Sequence, residues 1–239
     1  MNHNHQHLEL NGKRIFICER HHHVLKFWSE FKLLNPYLLS FDHHTDTNKA
    51  FQHYIHHNRH PEQSFEIQQF DLLSGIIEND VIAINKLTHA EHIDAAIKTG
   101  IIKKALIYSE DNIYGKPEIY TINGDENYNG QLIIINNNYE DPAVVISTET
   151  LESNFRKFDL CISREDWIDN FILDIDLDFF KSTKAFVHSN LSFLKQLIDK
   201  SIAISIATEP IFIKSWQAQY DNSLSVEYLL EKIIELIDS

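Results

Sequence analysis

Asp42, His44 and Asp46 alternate along the chain immediately after the apolar run Tyr37-Leu38-Leu39-Ser40. If that run is a strand, side chains two apart share one side of it, so two carboxylates and an imidazole meet where the strand ends. Carboxylates suit hard divalent ions such as Mn²⁺, imidazole suits first-row metals, and an aspartate can bridge two ions. Alone, the pattern also fits a polar loop in a histidine-rich chain. A second stretch favours the metal: in Phe171 to Phe180 (FILDIDLDFF), alternation puts Asp174, Asp176 and Asp178 on one strand face and Ile and Leu on the other. The apolar flanks point to a buried strand, where crowded carboxylates repel unless a cation holds them. Two carboxylate-rich strand ends suggest a two-metal centre, with ions about 3.5–4 Å apart.

These residues need a scaffold that brings strand ends together. Arg14–Cys18 reads as a strand, followed by His21, His22 and His23 and an amphipathic helix over Val24–Phe31. The three histidines therefore sit at a strand-to-helix turn, which in an α/β sheet lies at the ligand-binding carboxyl edge. Further strands are expected at Val81–Asn85, Lys104–Tyr108, Ala143–Ser147, Phe158–Ser163 and Ile202–Pro210, the last a buried strand ending in the carboxylate of Glu209. Phe65–Phe70 reads as a short strand or loop. Helices are expected over Asn48–His57, Asp71–Ile77, His89–Thr99 with Gly100 as the stop, Leu191–Lys200 and Val226–Ile237. Alternating strands and helices predict a three-layer αβα fold with a mainly parallel sheet. Tyr, Asn and Gly crowd around Glu118–Ile122 and Gln131–Ile135, which reads as a β-hairpin insertion at the rim; such a flap could grip a substrate or be inert.

A chain of 239 residues fits one α/β domain, here assigned to residues 11–239, after a disordered histidine-rich tail over residues 1–10. The formal net charge of −14 argues against nucleic acid or an anionic membrane as partner and suits a cationic substrate. Cys18 and Cys161 are the only cysteines, both in apolar runs where buried free thiols are usual, so a reducing cytoplasm is expected. No apolar run reaches the length of a membrane span, and the polar start lacks a signal-peptide core.

Asp42-x-His44-Thr45-Asp46-x-Asn48 resembles the D-x-H-T-D-x-N signature of the arginase and agmatinase (ureohydrolase) superfamily, and Asp174-Ile175-Asp176 resembles its later D-x-D strand. The E-x-H-x-x-x-L start at Glu19, the DIDLDFF strand and the T-E-P strand end are similar to a short branch that includes the peptide arginases of ribosomal-peptide biosynthesis. The resemblance runs from about Glu19 to Pro210. It implies an arginase/deacetylase-like fold and two Mn²⁺ ions, one held by His21, Asp42, Asp46 and Asp174, the other by His44, Asp42, Asp174 and Asp176. It also implies that Glu209 binds the substrate guanidinium, that Asn48 contacts a substrate carboxylate or amide carbonyl, and that Asp46 orients the attacking water. The implied reaction is hydrolysis of arginine side chains in a precursor peptide to ornithine and urea.

The chain departs from free-arginine enzymes in its length, in lacking a G-G-D-H run at the first histidine, and in placing Arg59 where their acid falls. A proton donor is sought among His53, His56, His57, His89 and His92, with His89 and His92 first because they open a helix after an expected strand. Alternatives are hydrolysis of free arginine or agmatine, a single-zinc deacetylase of the same fold, and a metal-binding module without activity.

Overall fold

A computed structural model describes residues 5–58, 60–110, 119–123, 131–136, 141–187 and 190–239. Its centre is an eight-stranded sheet. In chain order the strands are β1 (Gln6–Leu10), β2 (Lys13–Cys18), β3 (Tyr37–Asp42), β4 (Ala105–Ser109), β5 (Ile119–Asn123), β6 (Gln131–Asn136), β7 (Phe171–Asp176) and β8 (Ala203–Ala207). They lie side by side as β1-β2-β8-β7-β3-β4-β6-β5. The strands from β2 to β6 in that order pair parallel, and the outermost pairs, β1 with β2 and β5 with β6, are antiparallel.

Burial of both sheet faces explains why β3, β7 and β8 are apolar almost throughout. One face packs under α1 (Val24–Ser29), α2 (Gln52–His57), α3 (Phe65–Ile77), α4 (Val81–Ile84) and α5 (His92–Lys98), around Trp28, Leu38, Ile93 and Ile172. The other packs under α6 (Thr148–Phe158), α7 (Ser192–Lys200), α8 (Pro210–Gln219) and α9 (Val226–Asp238), around Phe41, Phe155, Trp167 and Leu229. The expected three-layer α/β architecture is therefore present, and no helix among the described residues is long and apolar enough to cross a membrane.

Several local expectations are corrected. Gln6–Leu10 is not a tail: it forms β1, tied to β2 through a turn at Asn11 and Gly12, both at positive φ. Val81–Ile84 is helical, started by the Asp80 side chain accepting from the Ile82 N–H. Phe65–Phe70 joins residues 71–77 in one helix capped by Ser64, whose hydroxyl accepts from Ile67 N–H. Residues 143–147 are turns that end at Ser147, the N-cap of α6, and this helix consumes Phe158. β5 and β6 extend the sheet beside β4 and do not stand off as a rim flap. Glu118 at the start of the expected hairpin, the residues between its two strands, and Arg59 lie outside the described residues. Cys18 is buried, whereas Cys161 is exposed.

Candidate metal centre

The ladder register decides which acidic side chains meet. Ser40, Asp174 and Ser205 are direct cross-strand neighbours on β3, β7 and β8, one pleat inside the sheet. Two residues further along, Asp42 and Asp176 close β3 and β7 on the same face. Beyond them the chain turns. Asp46 sits at φ 49° and folds back toward the strand end, and a 3-10 turn over Leu177–Phe179 brings in Asp178, whose N–H donates to Asp176 Oδ1 at 3.1 Å. Glu209, at φ 31°, lies two residues beyond the end of β8 and is the N-cap before Pro210 at the start of α8. Asp42, Asp46, Asp174, Asp176, Asp178 and Glu209 are all buried.

His21 divides this group. Its Nδ1 lies 3.1 Å from Asp46, 3.1 Å from Asp176 and 3.5 Å from Asp42. Its Nε2 lies 2.8 Å from Asp174, on the opposite edge of the ring. His44 is half-buried, with Nδ1 3.3 Å from Asp178 Oδ2 and 4.0 Å from Asp42 Oδ1. Three compact donor groups result: His21, Asp42 and Asp176; Asp42, His44 and Asp178; and Asp176, Asp178 and Glu209. A fourth joins His21, Asp46 and His92. Asp174, expected as a bridging ligand, belongs to none of these groups, and Asp178, which alternation had marked but the ligand set omitted, belongs to two.

Electrostatics separate the residues in the same way. Burial, with Asp46, Asp176 and Asp178 close by, pushes the Asp42 carboxyl well above its ordinary pKa. Burial and Asp178 do the same to Asp176, and burial raises Glu209. Burial alone would lower His21, but Asp174, Asp176 and Asp46 outweigh it and hold the imidazole well above its usual value. His21 Nδ1, Asp42 Oδ2, Asp46 Oδ1 and Asp178 Oδ2 are buried without a hydrogen-bond partner. These unpartnered atoms belong to three carboxylates and one imidazole of the donor groups above, a ligand chemistry that fits a hard or borderline divalent cation.

The proton-donor candidates separate by depth. His92 is fully buried behind the centre, its ring 4.2 Å from that of His21, with Nδ1 donating to the His89 carbonyl at 2.6 Å. Burial and His21 depress its pKa. His89 is exposed at the mouth, its ring 6.5 Å from His44 and 5.6 Å from Phe212. His53, His56 and His57 line a separate groove with Asn48 and Glu91, which meets the mouth at Thr88 and His89. Asn48 is thus placed in that groove and not beside Glu209. A cleft of about 430 Å³ opens next to Glu209, lined also by Arg20, His22, His89 and Phe212. Phe212, which packs its ring 5.4 Å from His44, had no signal of its own in the sequence beyond its place one turn after Glu209-Pro210.

Neither protein-family models nor curated protein sequences give a match to this chain.

Proposed function

We propose that the chain is a binuclear manganese hydrolase that cleaves the guanidinium of arginine side chains in a peptide, giving ornithine and urea. The observation that carries the reading is the gathering of four buried aspartates and two histidines at one strand edge, where His21 Nδ1, Asp42 Oδ2, Asp46 Oδ1 and Asp178 Oδ2 are buried without a hydrogen-bond partner. His21 through Nδ1, Asp42, Asp46 and Asp176 would hold one ion, and Asp42, Asp176, His44 and Asp178 the other. Asp42 and Asp176 would then be the shared ligands, Asp176 taking the place that the family pattern gives to Asp174.

Two bound ions supply a strong water-derived nucleophile at neutral pH, which a resonance-stabilised guanidinium carbon requires. The chain supplies the rest. The buried Glu209 carboxylate holds the planar cation, for which carboxylate is the natural partner. Phe212, one turn along α8, walls the same cleft and shields the apolar stem of the side chain. Asp46, with one oxygen toward His21 and the other unpartnered, accepts the proton of the attacking water and orients it. The leaving amine takes its proton at the mouth, where His89 is the imidazole within reach of solvent.

Arg20 lines the same cleft, and this favours one second reading, in which its guanidinium receives the α-carboxylate of free arginine. The test incubates the Mn²⁺-loaded protein with free arginine and with arginine inside a peptide and follows a loss of about 42 Da, guanidine becoming amine, by mass spectrometry. Higher kcat/KM on the peptide supports the proposal, higher kcat/KM on the free amino acid the second reading. No product from either, with metal bound, refutes both.

A further inference from the structure

We infer that Asp174 is a positioning residue: through a polarised hydrogen-bond chain from Trp28 and Ser205 it fixes which nitrogen of His21 faces the metal centre. This inference rests on His21 being a ligand in the reading above, and it changes what Asp174 does within it.

The polarity of the chain follows from its first member. The Trp28 indole N–H can only donate, and it donates to Ser205 Oγ at 2.9 Å. Ser205 thereby has its own proton left to give, and its hydroxyl donates to Asp174 Oδ1 at 2.5 Å. Ser40 Oγ donates to Asp174 Oδ2 at 3.1 Å. Asp174 is an acceptor in both contacts, so the proton in its 2.8 Å contact with His21 belongs to Nε2. Nδ1 is then the edge turned to Asp42, Asp46 and Asp176.

All five residues are fully buried, and the geometry is set by the sheet itself, because Ser40, Asp174 and Ser205 are register partners on three adjacent strands. Every oxygen of Asp174 is therefore engaged by a donor before any cation arrives. This is the opposite of Asp42 and Asp178, each of which keeps a buried oxygen without a partner. A carboxylate occupied on both oxygens and placed behind an imidazole does the work of orienting that imidazole and raising its basicity. Loss of such a partner typically weakens metal affinity about 10–100-fold while leaving the ligands in place.

The experiment titrates Mn²⁺ into the full chain and into the Asp174→Asn, Ser205→Ala and Asp176→Asn variants, reading free Mn²⁺ by electron paramagnetic resonance. In parallel, ¹⁵N-histidine spectra of the metal-free and Zn²⁺-loaded proteins monitor the His21 Nε2 proton. Asp174→Asn is expected to bind as many ions as the parent at saturation, with one affinity about 10–100-fold lower. Ser205→Ala should show a smaller loss in the same direction, and Asp176→Asn should bind fewer ions. The His21 Nε2 proton should be protected from exchange in the parent and lose that protection in Asp174→Asn. Fewer ions in Asp174→Asn would make Asp174 a ligand, and unchanged affinity would remove its role; either result overturns the inference. A parent chain that binds no Mn²⁺ would refute the proposed function alone, since the Nε2 proton still reports the positioning contact, and an unprotected proton in the parent would overturn that as well.

Discussion

Two carboxylate environments lie one pleat apart on the same strand, and they have opposite character. Asp174 is enclosed by Ser40, Ser205 and His21 and is satisfied by the protein. Asp176, with Asp42, Asp46 and Asp178, forms a crowd in which Asp42, Asp46 and Asp178 each leave an oxygen buried and unpartnered. Burial is equally complete for both, so it cannot distinguish structure from function. Satisfaction can: a buried charge given its hydrogen bonds serves the fold, while several left short of partners on one focus are a cost that folding tolerates for something else to relieve.

The strongest way to break this contrast is to remove a charge from the unsatisfied side. Asp42→Asn should abolish tight Mn²⁺ binding, yet in EDTA it should stabilise the protein by on the order of 1–3 kcal/mol, because one carboxyl of a crowded buried group, with an oxygen left unpartnered, is gone. The parent should instead gain about 2.7 kcal/mol when Mn²⁺ stands at 100 times its Kd. Thermal melts of both proteins with EDTA and with Mn²⁺ check this; a variant less stable than the parent in EDTA would show that Asp42 is a structural carboxylate like Asp174.

A smaller effect is expected at the cleft. Phe212→Ala should raise KM about 3- to 30-fold, roughly the range of losing the apolar contact of one or two methylenes of the side-chain stem. The kcat and the number of bound ions should stay near those of the parent, and Phe212→Tyr should recover KM. Steady-state kinetics with metal analysis separates this from a loss of the centre itself.

The smallest effect sharpens the comparison with a third kind of buried group. His22 is buried with both ring nitrogens unpartnered, and burial with His23 and Arg20 nearby lowers its pKa to about 3. A depressed imidazole contributes stability above its unfolded value near 6.5 and loses it as pH falls toward about 3. Replacing it by leucine should therefore flatten the decline of Tm across that pH window while changing Tm little at pH 7 and above. An unchanged slope in melts from pH 7 to 3 would place the acid sensitivity elsewhere.

The centre of the sheet was legible because strands buried on both faces are written as unbroken apolar runs, and β3 and β7 end their runs in aspartate. The convergence of the Asp42 and Asp176 stretches could be read for the same reason. Which of Asp174, Asp176 and Asp178 is satisfied by the protein could not, since alternation is identical at all three and only pairing with Ser40 and Ser205 fixes the depth of each. Val81–Ile84 reads as a strand because four consecutive apolar residues carry no period, and only Asp80, as a cap, marks the helix. Thr148–Phe158 hid its helix behind β-branched threonines, although Leu151, Phe155 and Phe158 repeat at helical spacing and Ser147 caps the start. Opening a helix after an expected strand marks His89 and His92 alike as donors, but across the turn over His89–Glu91 His89 is exposed and His92 buried.

β1 has a practical meaning for anyone shortening the chain. It covers the outer side of β2, and His5, immediately before it, places Nε2 2.9 Å from Nδ1 of His23, two residues from His21. A truncation at Asn11 would strip that cover and turn β2 into a bare sheet edge, the kind of template that recruits a strand from another molecule. Self-association in such a shortened chain, or weakened metal binding, would report the missing strand and say nothing about the catalytic reading.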